Sequence, residues 1–309
     1  YYKRAGVDVK IVNVGTASTG TIQMLVAGRI DVATASIASG LGAYVAGATD
    51  VRFIGAELNA IYSINKLKWT FAAKDTIKTV ADLKGKTIGI PAGPNPTDPV
   101  YVQISALLKS AGMTDRDVRW TVAGAPATRV QALTAGRIDF TQMPMEMSYF
   151  VTPDKGLHLL AFDPVGANSG WNGCQCWFTS AKTLTDPDKR EAVQRFVEAT
   201  ALAVRDLARD KALFVKAMGM YIDMGAQTQA SIDDTYEYYR LQYTSNGGVN
   251  FGHMNAWLND VYFASVNPAA KGKVTLKALS DPSFVEAFLE KNGVDADAYW
   301  DPPQLTPPG

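Results

Sequence analysis

The chain carries few groups that catalysis could use. Its two histidines, His158 and His253, are far apart in sequence, and its two cysteines, Cys174 and Cys176, stand two positions apart. On a strand that spacing puts both thiols on one face, near the upper limit of Cα separation for a disulfide. A zinc site would need four ligands, which these residues do not gather, so the pair reads as two small buried thiols. No G-x-S-x-G, H-E-x-x-H, Walker or dinucleotide-binding pattern occurs. The expectation is therefore no catalytic residue, no metal and no cofactor. What the chain does have is uncharged polar groups in glycine- and proline-rich stretches: Thr16, Ser18 and Thr19, then Ser36, then Asn95 and Thr97, then Gln142 with Glu146. Aromatic side chains gather at Tyr62 and Trp69 and again at Trp171 and Trp177. Such groups bind small molecules by hydrogen bonds and stacking; none is a poised nucleophile.

The bulk properties narrow the partners. The 309 residues hold 30 basic and 30 acidic side chains, a net charge of zero. Phosphate-backbone binding and polybasic membrane contact both draw on a surplus of Lys and Arg, so neither is expected. No run approaches the 18 or so apolar residues that cross a bilayer. The length favours two units. Tyr1–Gly6 reads like the last turn of a helix, with basic residues and a C-cap glycine, which leads us to expect a strand and most of that helix upstream.

A repeat organises the rest. Val14–Thr34 reads VGTASTGTIQMLVAGRIDVAT and Val122–Gln142 reads VAGAPATRVQALTAGRIDFTQ, aligned at an offset of 108 with the five residues AGRID identical. Each copy predicts a strand (Val7–Val14; Val118–Val122), a small-residue turn, a helix, a glycine stop and an apolar strand (Ile30–Ala35; Ile138–Thr141). Ile22, Leu25 and Val26 are expected to share the first helix's buried face, and Val130, Leu133 and Thr134 the second's. Each copy is a βαβ unit that should seed its own lobe with a mainly parallel sheet flanked by helices. Between the copies the pattern predicts a helix near Leu41–Ala46, a strand Val51–Ala56, an extended run Ile64–Ala73, a short helix near Val80–Leu83, a strand Thr87–Ile90 and a helix from Pro99 to Ala111. A helix should begin near Pro144 and a strand cover Leu157–Phe162; Asp186–Asn292 reads as almost wholly helical. The chain is expected to leave the first lobe near Lys78 and return near Trp177, giving 1–78, 79–176 and a return to the first lobe over 177–309.

In open parallel sheets, ligands sit beyond the carboxyl ends of the strands, where loops lead into helix N-termini. Those loops are Gly15–Thr21, Ser36–Gly40, Ala92–Asp98, Gly124–Thr128 and Gln142–Glu146. In the third, Asp98 should cap a helix whose first residue is Pro99. A carboxylate there competes with an anionic ligand for the helix end. The start of the first helix has hydroxyls at Thr16, Ser18 and Thr19 and no acid, so it stays open to an anionic group, although capping alone also accounts for them. Met143 and Met145 suit either an apolar ligand body or the core. Trp171, in a polar loop, is the aromatic most expected to face a cleft.

Val80-Ala81-Asp82-Leu83-Lys84-Gly85-Lys86-Thr87-Ile88-Gly89-Ile90-Pro91, with Leu25–Ser36 and Ala132–Phe140, resembles the substrate-binding proteins of ABC transporters, in the class that handles nitrate, sulfonates, taurine and thiamine-pyrimidine precursors. The resemblance runs from Tyr1 to about Asn292. It implies the two-lobed type II periplasmic-binding-protein fold, an α/β architecture, with Asn95 and Thr97 as ligand contacts. It implies a non-enzymatic receptor, periplasmic or lipid-anchored outside the cell, acting as a monomer that captures a small organic molecule (sulfonate, carboxylate or heterocycle) and hands it to a membrane permease. The expected contacts are Thr16, Ser18, Thr19, Ser36, Tyr62, Asn95, Thr97, Gln142, Glu146 and Trp171. Two other readings stay open: an enzyme like the pyrimidine-precursor synthase, whose cysteine-rich motif Cys174-Gln175-Cys176 does not match, and a ligand-sensing domain.

Overall fold

A computed structural model describes residues 1–12, 18–58, 71–143, 145–160, 175–240, 242–244, 246–248 and 258–294. Helix α1 (Ser18–Val26), strand β1 (Ala33–Ala35), helix α2 (Ile37–Val45) and strand β2 (Val51–Leu58) come first. Strands β3 (Phe71–Lys74) and β4 (Thr87–Ile90), helix α3 (Pro99–Ser110), strand β5 (Arg119–Val122), helix α4 (Pro126–Thr134), and strands β6 (Phe140–Gln142), β7 (Leu157–Leu160) and β8 (Gln175–Ser180) follow. Helices α5 (Pro187–Arg209), α6 (Lys211–Met218), α7 (Gln229–Arg240) and α8 (Ser283–Asn292) complete the chain, with a π-helical segment at Leu258–Val266.

The strands sort into two sheets, ordered β1-β8-β2 and β5-β4-β6-β3-β7. In the larger sheet β4 pairs parallel with β5 and β6, and β3 runs antiparallel to both β6 and β7. Four of its five strands thus share a direction. In the smaller sheet β8 pairs antiparallel with β1 and β2, which run the same way as each other. The chain changes sheet between β2 and β3 and again between β7 and β8.

Alternation along the strands builds four cores. In the smaller sheet Phe53, Cys176 and Phe178 face α1 and α2, while Ile54 and Trp177 face α5 and α8. In the larger sheet Phe71 and Ala73 face α3 and Ala72 faces α4. Period-two side chains with helices on both faces are what an α/β lobe requires. Helix α5 shows the matching helical period: Val193, Val197, Ala201, Val204 and Ala208 are buried, and Asp186 caps its start by accepting from the Asp188 and Lys189 amides at 3.0 and 3.2 Å. Helix α3 is unusual in having two buried faces. Val100, Ile104, Leu107 and Leu108 join the larger sheet's core, and Val102 and Ala106 join the smaller sheet's.

The repeated segments end their helices identically. Gly28 and Gly136 take φ of +67° and +72°, and the amides that follow, of Arg29 and Arg137, reach back to the carbonyls of Met24 and Ala132 at 2.9 Å in both cases. That is the six-to-one closure that only glycine makes without strain. The faces differ from expectation at one position in each copy: Val26 is 45% exposed and Thr134 is exposed too. A helix of nine residues lying on a sheet buries a narrow stripe, here Ile22 and Leu25 in one copy and Val130, Ala132 and Leu133 in the other. Of the strand expected over Val7–Val14, the part up to Val12 is described and has no ladder partner among the described residues. The helix expected near Pro144 is a 3-10 helix over Met145–Phe150, and residues beyond Leu160 in the strand expected to Phe162 lie outside the described residues. Tyr1–Gly6 forms a helical turn, closed by Gly6 at φ +69°, with Tyr2 stacked on Phe196 of α5.

The aspartates of the two AGRID runs both reach a lysine from another element. Asp31 pairs with Lys189 at 2.8 Å on the surface, whereas Asp139 pairs with Lys74 of β3 at 2.5 Å and accepts the Thr87 amide of β4 at 2.8 Å. Burial raises the Asp139 pKa, but the Lys74 ammonium and the Thr87 amide outweigh it, so the carboxyl sits below the usual 3.8. Asp139→Ala should cost about 2 kcal/mol in urea denaturation, since two charge-assisted hydrogen bonds are lost. A folded pKa below the unfolded one gives stability that is present above the ordinary Asp range and lost as pH falls through it. The gap between parent and variant should accordingly close on acidification below about pH 4.

Candidate functional site

Strand β1 ends at Ala35, level with Ala56 of β2: both pair with Cys176. Beyond β1, Ser36 caps α2, its Oγ accepting from the Ser39 amide at 3.2 Å and lying 3.0 Å from Ser39 Oγ. From the larger sheet, the loop after β4 brings Thr97 to the same place. Ser39 Oγ donates to the Thr97 carbonyl at 2.7 Å, and Thr19 Oγ1 lies 3.2 Å from Thr97 Oγ1 and 3.4 Å from its carbonyl. Asn95 Oδ1 accepts from the Thr97 amide at 2.9 Å and from its hydroxyl, while Asn95 Nδ2 donates to the Gly93 carbonyl at 3.1 Å. Thr19, Ser36, Asn95 and Thr97, expected from three separate stretches of sequence, thus form, with Ser39, one continuous polar cluster spanning both sheets. Ser18 opens α1 beside them.

The cluster depends on two glycines in α2. A methyl at Gly40 would lie 2.3 Å from the Phe178 ring, and one at Gly42 would lie 2.1 Å from Thr97 Cγ2. Bare backbone lets α2 lie flat on β8 and lets Thr97 close onto it.

The charges around the cluster are held elsewhere. Asp98 is fully buried and caps α3, its carboxylate accepting from the Val100, Tyr101 and Ala92 amides at 2.8, 3.0 and 3.3 Å. Burial lifts its pKa against those hydrogen bonds and the nearby Arg129. The N-terminus of α3 is therefore occupied by a carboxylate, as expected from Asp98-Pro99. Arg129 was not among the expected site residues, although it stands where the first copy has Thr21. It is 2% exposed, and burial pulls its pKa down to about 10 against the attraction of Asp98. Its guanidinium donates to the Gly124 carbonyl at 2.7 Å, the Gln142 carbonyl at 2.9 Å and Thr141 Oγ1 at 3.1 Å. One side chain thereby ties the end of β6 to the loop that opens α4. By contrast α1 and α2 start with neutral hydroxyls and no acid in their first turns, leaving partial positive charge at the cluster.

The remaining expected residues fall differently. Gln142 ends β6, and its side-chain amide donates to the Met143 carbonyl at 3.3 Å, not to the cluster. Met143 is core, at 0% exposure, which settles the choice between ligand wall and packing for that residue. Glu146 lies in the 3-10 helix Met145–Phe150. Thr16, Tyr62 and Trp171, with Trp69 and Cys174, lie outside the described residues. Cys176 and Trp177 are both core. His158 is the second residue of β7, with Nε2 2.7 Å from the Ile77 carbonyl, serving the fold. Ser39 was missed: it sits inside the expected Ser36–Gly40 loop, but a serine one turn into a helix has no local signal for a partner 58 positions away. Glu57, one residue beyond the level of Ala35 and Ala56, was missed as well. Its carboxyl accepts from Trp177 Nε1 at 3.4 Å, and burial pushes it up to about 7.

A family profile described as NMT1/THI5 like matches residues 1–211. No curated protein matches the chain. Among solved structures, a protein from Bordetella bronchiseptica RB50 superposes with a TM-score of 0.69 at 18% identity, covering 94% of this chain and 90% of its own. The alkanesulfonate-binding protein SsuA from Xanthomonas axonopodis pv. citri, bound to MOPS, gives 0.60 at 20% identity over 86% and 85%. The putative periplasmic sulfonate-binding protein SsuA of a sulfonate ABC transporter from Methylobacillus flagellatus KT gives 0.63 at 18% identity over 95% and 85%. At these identities the likeness is one of fold, the two-lobed periplasmic-binding-protein fold.

The contact between Gly42 and Thr97 can be tested without a ligand. Gly42→Ala should destabilise the protein by about 1–3 kcal/mol through overpacking. Thr97→Ser, which removes Cγ2 and keeps the hydroxyl, should recover most of that loss when combined with it in a double-mutant cycle read by urea denaturation. Additive effects would show that the two residues do not meet.

Proposed function

We infer that this chain, which belongs to the NMT1/THI5-like family, is the solute-binding receptor of an ABC importer and takes a small organic acid at the junction of its lobes. The lobes of this reading are 1–78, 79–176 and the return over 177–309. The observation that carries it is the polar cluster in which Thr19, Ser36 and Ser39 meet Thr97 and Asn95 of the opposite sheet. Groups from both sheets at one point let a ligand favour the closed arrangement, because only there does it touch both. Two uncharged helix starts suit a sulfonate or carboxylate, and the hydroxyls supply donors of fixed direction. Two of the solved structures of this fold described above are, by their names, sulfonate-binding proteins, one of them holding MOPS, which supports the acid over a neutral heterocycle. The periplasmic or extracellular setting, the permease partner and the monomeric state belong to the same proposal. Thr16, Ser18, Tyr62, Gln142, Glu146 and Trp171 remain proposed contacts alongside the cluster.

A thermal-shift series settles the ligand class: MOPS and simple alkanesulfonates, aromatic carboxylates, an aminopyrimidine, and nitrate and sulfate. Ligand at about a hundred times its Kd stabilises the folded state by about 2.7 kcal/mol, a rise of several degrees. The expected result is such a rise with the organic acids, reduced about tenfold in apparent affinity by Thr97→Val, with the ligand recovered unchanged. No response to any acid, or conversion of the ligand, would overturn the reading.

A further inference from the structure

The two copies of the repeat differ where their helices begin. Aligned at the offset of 108, Thr16, Ser18 and Thr19 of the first copy stand against Gly124, Pro126 and Ala127 of the second, so three hydroxyls give way to none. The second copy's loop also lies beside the loop that reaches the polar cluster. Val122 pairs with Ile90 and the Ala123 amide donates to the Ile90 carbonyl at 2.8 Å, so Ala92–Asp98 and Gly124–Thr128 leave the carboxyl edge of the larger sheet as neighbours. No residue from Pro91 to Thr97 or from Trp120 to Thr128 is charged, and the charges that follow, Asp98 and Arg129, are 0% and 2% exposed.

What this edge presents is carbon. Val122 is 62% exposed, and Ala92, Pro94, Ala125 and Ala127 are exposed as well. By the period of two, Val122 shares the face of Trp120, whose ring meets that of Tyr101 in α3 at 5.1 Å. Val122 meets the loop before that helix instead: a methyl built on Gly93 would lie 4.0 Å from its Cγ2. From Gly93 the path to the polar cluster is direct. The Gly93 carbonyl accepts from Asn95 Nδ2 at 3.1 Å, and Asn95 Oδ1 accepts from the Thr97 amide at 2.9 Å.

We propose that this edge is a subsite for the apolar body of the ligand, with Val122 setting the preference for its length, a step that rests on the organic-acid reading above. The acid group lies among Thr19, Ser36, Ser39 and Thr97, and the carbon chain runs past Asn95 and Gly93 onto Val122. Ligands of open sheets sit beyond the carboxyl ends of the strands, where β4 and β5 present this patch. Its five apolar residues suit a short chain, whereas a stable protein interface takes roughly 20–30 residues a side. Full burial of a methylene is worth about fourfold in affinity; a chain lying along one wall buries about half its surface, which gives about twofold for each methylene.

The test is calorimetric titration of the full chain with ethane-, butane- and hexanesulfonate, and with hexyltrimethylammonium as the same tail without the acid. From ethane- to hexanesulfonate the affinity should rise about fifteenfold, with hexyltrimethylammonium far weaker than hexanesulfonate. In Val122→Asn the rise should fall to about fourfold or less while ethanesulfonate binds as in the parent, and Val122→Ile should keep the full rise. Both variants should fold, because the side chain they replace is mostly exposed. A rise that persists in Val122→Asn, or hexyltrimethylammonium binding as tightly as hexanesulfonate, would overturn the subsite. Equal affinity for all three sulfonates would overturn it too while leaving the organic-acid receptor in place, and failure of every sulfonate to bind would remove both.

Discussion

Everything at the junction of the two sheets depends on where α3 begins. Asp98 takes the Val100 and Tyr101 amides, Pro99 follows at the first helical position, and the helix is thereby fixed at its N-terminus with one rotation about its axis. That rotation sends Val100, Ile104 and Leu107 into one core and Val102 with Ala106 into the other. It also sets Thr97, the residue before the cap, against Ser39 and Thr19. A slip of one residue would turn the helix by about 100° and lose the apolar seam and the polar cluster together. The burial of Asp98 costs free energy that a neutral cap would not, and three amides with Arg129 nearby offset it.

Much of this was legible because it is local. The AGRID runs announced two helix stops and two following strands, and the left-handed glycines with their back-reaching amides are what that spelling demands. Asp98-Pro99 gave the start of α3 to the residue, since a cap and an imino acid at the first helical position have few other uses. The strand Thr87–Ile90 was bounded by Lys86 on one side and Pro91 on the other and falls where expected. The four polar residues that meet at the junction were named from their loops without any knowledge that they touch.

What stayed hidden is non-local. Nothing in Gln175–Ser180 says that this strand inserts between β1 and β2, because pairing partners more than a hundred residues away leave no trace in period or propensity. The two buried faces of α3 look, in sequence, like a helix that is merely apolar; only the second lobe's arrival assigns each residue to a side. Arg129 reads as an ordinary solvent-facing position until Gly124, Thr141 and Gln142 close around it. Glu57 is a single acid near the end of an apolar strand, and the side chain that donates to it, Trp177, lies 120 positions away.

The cluster also bears on how such a receptor would work. Its direct bonds between sheets, Ser39 to Thr97 and Thr19 to Thr97, and the apolar contact of Val102 and Ala106 join the lobes through the protein's own groups. A ligand can shift an equilibrium between open and closed forms only by its differential affinity for the two. Where the protein's own contacts already favour closure, the ligand need supply only the remainder. Each direct bond between lobes is then a bond that need not be asked of the ligand, and the affinity of the site is divided between the two. A small molecule with one charged group and little surface suffices in that arrangement, whereas a receptor whose lobes met only through its ligand would need a larger one to reach the same closed population.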